Sequence, residues 1–257
     1  MKISPLLRYI AIFIGNETIL MGQYLHYFNN ETEYLTAIKN IYVEPWVSCI
    51  AEGNKVGYNI PKFVDLGLPS GTLWMSMNVG ATGLYDEGSS FKWGELYPST
   101  ASDPYRWGSS SPYSKYNSTD KKVYLDLEDD VLAVNSGTSA TPGYIYAIPT
   151  IEECRELYNS NYVTSDTDKT ANITVFTSRV NGNSIIFPGR EGVTVGKAQE
   201  PYFGVWTNER NQNYIAYANS FQTYEDSGFY YVGITTLVER TLLRNIRGVL
   251  RPYIPVK

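Results

Sequence analysis

The chain has 257 residues and a formal net charge of −5, which suits one large domain or a domain with an appendage. The acidic balance, with no Lys/Arg cluster to offset it, argues against a nucleic-acid-binding surface. A chain this long buries roughly 70–75% of its unfolded surface without staples, and its two cysteines, Cys49 and Cys154, lie in different segments and read as small buried hydrophobes, not as a disulfide framework.

The first 61 residues read as an appendage. The start mimics a signal peptide, but Arg8 interrupts the apolar run and Asn16-Glu17-Thr18 lacks the small-residue cleavage pattern. No run reaches the ~18–20 apolar residues that span a bilayer. Short apolar strand candidates fall at 9–14 and 19–27, a polar break follows at 29–33, and 32–39 has room for one or two helical turns. Pro45-Trp46-Val47-Ser48 and Val56-Gly57-Tyr58-Asn59 end the segment.

From Phe63 the texture changes. Leu66-Gly67-Leu68-Pro69-Ser70-Gly71 is a tight turn: Pro fixes φ and the two glycines tolerate positive φ. After it Leu73, Met75 and Met77 alternate with Trp74, Ser76 and Asn78, the period of a strand with unlike faces. Trp74, together with Trp93 in Phe91-Lys92-Trp93-Gly94-Glu95, is expected to be buried and structural. The Ser-, Thr-, Pro-, Tyr- and Gly-rich composition of 99–120 predicts a long surface loop. Residues 126–134 read as a short helix with acids in its first turn, where the dipole favours them. Thr150 and Glu153 form a capping box at the start of a helix running to about Tyr158, with Ile151, Cys154 and Leu157 on one face. Strands then dominate: 173–180 and 184–187 flank the hairpin signal Asn181-Gly182-Asn183, and 205–207, 214–221, 229–235 and 247–253 complete a sheet-rich half. The fold class is therefore α+β and β-rich.

Catalytic chemistry is sparse. The one histidine, His26, lies in the appendage, so neither a His-dependent nucleophile nor a closed zinc set is available to the main domain. The glycine-rich stretch at 192–198 has the wrong spacing for a phosphate loop, and Ala198 replaces its magnesium-binding hydroxyl. Asn172-Ile173-Thr174 is a glycosylation sequon at a strand start. Glu128, Asp129 and Asp130 are weak calcium candidates, against the plainer reading of a helix start. Glu152 and Glu153 are adjacent, so they point to different helix faces and do not pair as glycosidase acids. No catalytic residue and no cofactor is assigned.

The motif string Val-Asp-Leu-Gly-Leu-Pro-Ser-Gly-Thr-x-Trp from Val64, then Asn78-Val79-Gly80-Ala81, Phe91-Lys92-Trp93-Gly94-Glu95, Ile148-Pro149-Thr150 with Glu153, Trp206-Thr207 and Arg251-Pro252, resembles the Fibrobacter succinogenes major paralogous domain family over about 62–254. Ala147 stands where that family has Arg. The resemblance implies a C-type-lectin-like domain at 62–257, related to formylglycine-generating enzymes and to phage receptor-binding proteins. The two cysteines lie in the wrong segments for the oxidase, and the calcium-lectin motifs are missing, so the reading is not an enzyme. The Pro-Trp-Val-Ser segment resembles one that precedes adhesion domains in structural proteins of crAss-like phages. Together these imply a virion adhesin, a head (capsid) fibre or else a tail fibre. It would be a homo-oligomer, a trimer, attached through 1–61 to a capsid or other virion protein, and would present a surface to a host glycan or protein, with no nucleic acid and no membrane span. The alternative is a secreted or surface-anchored bacterial binding protein. The resemblance places recognition between the late Trp and the terminal Arg-Pro strand, where Asn208, Arg210, Asn213, Tyr217, Tyr224 and Tyr230 have the amides, guanidinium and rings that suit a neutral sugar. By strand alternation, Tyr214 and Tyr217 point to opposite faces.

Overall fold

The computed structural model describes residues 63–136, 144–168, 170–189, 203–226 and 229–252, together with two short strands, β1 (Ser48–Cys49) and β2 (Tyr58–Asn59), which pair antiparallel. The strand candidates at 9–14 and 19–27, His26 and the stretch at 192–198 lie outside the described residues. What is described is β-rich with little helix.

Strand β3 (Phe63–Asp65) turns back on β4 (Leu73–Met75) through the expected turn. Gly67 and Gly71 take φ of 61° and 70°, and the Gly71 amide donates to the Leu68 carbonyl at 2.9 Å. The last described strand, β14 (Val249–Pro252), lies between β4 and β6 (Tyr144–Ala147) and completes a four-stranded sheet in the order β3-β4-β14-β6. All three β4 residues are buried, Trp74 as expected, and both faces of the strand pack against core. This sheet has a core on each side. Phe63, Leu73, Met75 and Leu250 enter one cluster, while Trp74 and Val249 enter the other.

The second sheet has the order β12-β11-β10-β13-β5 and repeats this arrangement. It comprises β5 (Ser90–Phe91), β10 (Gly204–Arg210), β11 (Tyr217–Asp226), β12 (Phe229–Glu239) and β13 (Arg244–Asn245). Strands β10 and β13 run parallel; the other pairs are antiparallel. Trp206, Ala218 and Val238 join the first cluster; Val205 and Phe221 join the second. A three-stranded meander of β7 (Val163–Asp168), β8 (Ile173–Ser178) and β9 (Ser184–Pro188) carries Phe176 and Phe187 into the second cluster. Its β8–β9 turn is the predicted Asn-Gly-Asn hairpin, with Gly182 at φ 77°.

Helix α1 (Val131–Ser136) is preceded by a 3-10 turn over Leu127–Asp129, so the single helix expected at 126–134 is split in two. Helix α2 (Ile151–Leu157) starts with the predicted capping box: the Glu153 amide donates to Thr150 Oγ1 at 3.1 Å, and the Thr150 amide to Glu153 Oε2 at 2.8 Å. Glu153 also accepts from Thr72 Oγ1 and ion-pairs with Arg251, both at 3.1 Å. One carboxylate thus ties the first turn, the α2 start and the terminal strand together. Asn78 is similarly joined to the C-terminal segment, since Arg247 Nε donates to its Oδ1 at 2.8 Å. Trp93 and Trp206 are fully buried and donate to the Thr207 and Phe91 carbonyls at 2.9 and 2.8 Å.

Candidate functional site

The stretch from 99 to 120 lacks regular structure, as its composition predicts, but it is more than a surface loop. Tyr105, Trp107, Tyr113 and Tyr116 are buried in it. With Trp93 they surround the guanidinium of Arg240, which lies 4.4 Å from the Tyr113 ring centroid and 6.0 Å or less from the other four. Arg240 donates to the Tyr105 hydroxyl at 3.1 Å and to the carbonyls of Tyr116, Ile215 and Lys115 at 3.2, 3.0 and 3.3 Å. A single side chain just after β12 therefore gathers the buried rings of the loop from Tyr105 to Tyr116.

Between this pinned loop and the turn from β12 to β13 lies a cleft of about 670 Å³. Lys92 and Arg244, both buried, line it together with Asp103, Tyr105, Ser102 and Thr241. The Lys92 ammonium donates to the Asp103 carbonyl.

The calcium candidates are engaged elsewhere. The acidic oxygens that do lie within 4.8 Å of one another belong to Asp126, Glu128 and Asp129, and the Lys115 ammonium already bonds all three. Asp129 also accepts from the Tyr116 hydroxyl at 2.5 Å and pairs with Arg106 at 3.1 Å. Asp130 points away from that group: its oxygens accept from the amides of Leu132, Ala133 and Ile148, and burial pushes its pKa up.

The six candidate ligand residues do not form one site. Arg210 is buried; its Nε donates to the Lys122 carbonyl and its Nη1 to the Asn211 carbonyl, both at 2.6 Å, so it is a structural clamp and not a surface side chain. Asn208 is half-buried, with its Oδ1 enclosed and its amide bonded to the Pro149 carbonyl. Glu209, between them, accepts from the first amide of α2 at 3.2 Å, and burial raises its pKa. Tyr217 opens β11 opposite Glu239, whereas Tyr224 sits opposite Tyr231 and Tyr230 opposite Glu225. Seven residues of strand separate Tyr217 from Tyr224, roughly 23 Å. The side chains of Tyr224 and Tyr230 lie outside the described ones.

What the interval does present is the turn at 211–216. Asn211 Oδ1 accepts from the amides of Asn213 and Tyr214, both at 2.9 Å, and its Nδ2 donates to the Thr236 carbonyl at 2.8 Å. Gln212, Asn213 and Tyr214 are exposed on this braced turn. The Tyr214 and Tyr217 rings meet edge to face, 6.4 Å between centroids, which corrects the expectation that they face apart. Tyr214 precedes the strand, so strand alternation does not apply to it.

Asn172, in the sequon, has its Nδ2 donating to the Gly189 carbonyl, and Thr174 is fully buried. Cys154 is a free, fully buried thiol whose pKa burial pushes well up. No helix among the described residues is long and apolar enough to cross a membrane. Comparisons with known protein families, with curated proteins and with solved structures found no match.

Proposed function

We propose that residues 62–257 form a C-type-lectin-like adhesion module, and that the chain is a phage virion protein, a head fibre, anchored and trimerised through residues 1–61. The observation that carries this reading is the braced turn at 211–216: an exposed Tyr214 ring against Tyr217, beside the exposed amides of Gln212 and Asn213, held by Asn211 before any ligand arrives. Rigid aromatic and amide groups of this kind bind at low entropic cost. Two further observations support the reading. The motifs that carry the family resemblance meet in space, through Glu153 with Thr72 and Arg251 and through the bonds of Trp93 to Thr207 and of Trp206 to Phe91. The buried Cys154 has none of the exposure that a catalytic thiol needs.

Sedimentation of the purified full chain and of a chain starting at Lys62 tests the anchoring half. The fibre reading expects a trimer that becomes monomeric on truncation; a monomeric full chain removes it. N-terminal sequencing of the mature protein separates this reading from a secreted bacterial binding protein, for which residues 1–25 or so would be missing.

A further inference from the structure

The cleft between the pinned loop and the 240–243 turn has a chemistry different from that of the Tyr214 turn. Lys92 and Arg244 are 3% and 2% exposed, and both lie in the cleft wall. A buried ammonium needs compensating negative charge. Among the described residues, the acceptor for Lys92 is a neutral carbonyl, that of Asp103. The carboxylates of Asp103 and Glu95 lie near enough to feel the Lys92 charge, but their own bonds go to the Thr100 amide at 2.6 Å and the Arg106 amide at 2.9 Å. No ion pair to Lys92 forms among the described residues. The lining also has the hydroxyls of Ser102, Ser109 and Thr241 and the apolar surface of Pro104 and Leu242.

We infer that this cleft binds an acidic sugar, with its anionic group on Lys92 and Arg244, its hydroxyls on Ser102, Ser109 and Thr241, and a C–H face on Leu242. A volume of about 670 Å³ lies within the usual range for small-ligand sites. The anionic group is a carboxylate or a sulfate, since both offer several acceptor oxygens to two cations. This inference rests on the adhesin reading only for its biological setting; the cleft chemistry stands on its own.

The test is calorimetric titration of the full chain with glucuronate, glucose 6-sulfate and glucose. At least one acidic sugar is expected to bind at least about tenfold more tightly than glucose, and whichever binds better identifies the anionic group. Lys92→Met should remove that preference. Because Lys92 is buried and its loss can disturb folding, Ser109→Tyr, an exposed position in the lining, is the second variant; it should weaken acidic-sugar binding at least about tenfold at unchanged Tm. Acidic sugars binding no better than glucose, or unaltered binding in Ser109→Tyr, overturns the inference. Acidic-sugar binding without adsorption to any bacterial surface would keep the cleft and remove the adhesin reading; adsorption without acidic-sugar binding would do the reverse.

Discussion

Replacing Arg240 tests whether one guanidinium organises the loop at 99–120. Arg240→Ala leaves the carbonyls of Lys115, Tyr116 and Ile215 without their donor and empties the space among five rings. Each buried acceptor left unpaired costs about 1–3 kcal/mol, and a desolvated cation–π contact adds about 2 kcal/mol. Two of the three bonds are only partly buried, so the lower end applies to them. The expected loss is about 5–7 kcal/mol, at least the whole stability of a weak domain at about 5 kcal/mol. Arg240→Lys keeps the charge but loses the planar fork, and is expected to cost about 2–3 kcal/mol. The assay is urea denaturation followed by near-UV circular dichroism, which reads the packing of Trp93 and Trp107 directly. If both variants lie within about 1 kcal/mol of wild type with an unchanged aromatic spectrum, the loop is held by something else.

Four further outcomes follow from single groups. Gly94 has φ 71°, and a Cβ there would sit 2.2 Å from the Trp107 ring, so Gly94→Ala should cost at least about 2 kcal/mol by thermal denaturation, beyond the usual point-mutant median. Glu153→Ala removes the capping box, the Thr72 bond and the Arg251 pair together and should cost about 3–5 kcal/mol, against about 1 kcal/mol for Thr72→Ala, measured in the same urea titration. Burial tends to raise the Asp126 pKa, but bonds from Lys122 and Lys115 outweigh it and hold it below its ordinary value. A depressed carboxylate stabilises the fold above its unfolded pKa, about 4, and that stability is lost as pH falls through the lower folded value. Lys115→Met should therefore destabilise at pH 7, and its difference from wild type should shrink as pH falls through the lowered Asp126 value. Millimolar calcium should leave the wild-type Tm unchanged, because the ammonium already occupies the acidic group.

Much of the frame was legible in the sequence because it rests on local rules. The Gly67–Gly71 turn, the Thr150/Glu153 capping box and the Asn-Gly-Asn hairpin each follow from turn or cap chemistry within a few residues. The misreadings came from contacts that no local pattern encodes. The aromatics at 105, 107, 113 and 116 have neither a strand nor a helix period, because they are spaced to surround a residue more than 120 positions away. The burial of Trp74 is expected from its motif, but periodicity alone does not show that a second core covers that face of the strand. Arg210 read as surface because it sits in a polar run, but β10 continues through it and aims it at Lys122. The cleft is equally hidden: Lys92 belongs to a motif that gives no sign of a cleft, and Arg244 reaches it only because β13 pairs with β5.

The adhesin claim is tested most directly by adsorption of fluorescently labelled full-length chain to a panel of bacterial cell envelopes, comparing wild type with an Asn213→Ala/Tyr214→Ala variant of the braced turn. Both positions are exposed, so Tm should stay within the scatter of ordinary surface changes, about 0.5 kcal/mol in stability. The account predicts saturable adsorption to at least one envelope, reduced at least about tenfold in the variant. Saturable adsorption that the variant retains in full, or no adsorption to any envelope by a correctly folded wild-type chain, would contradict it.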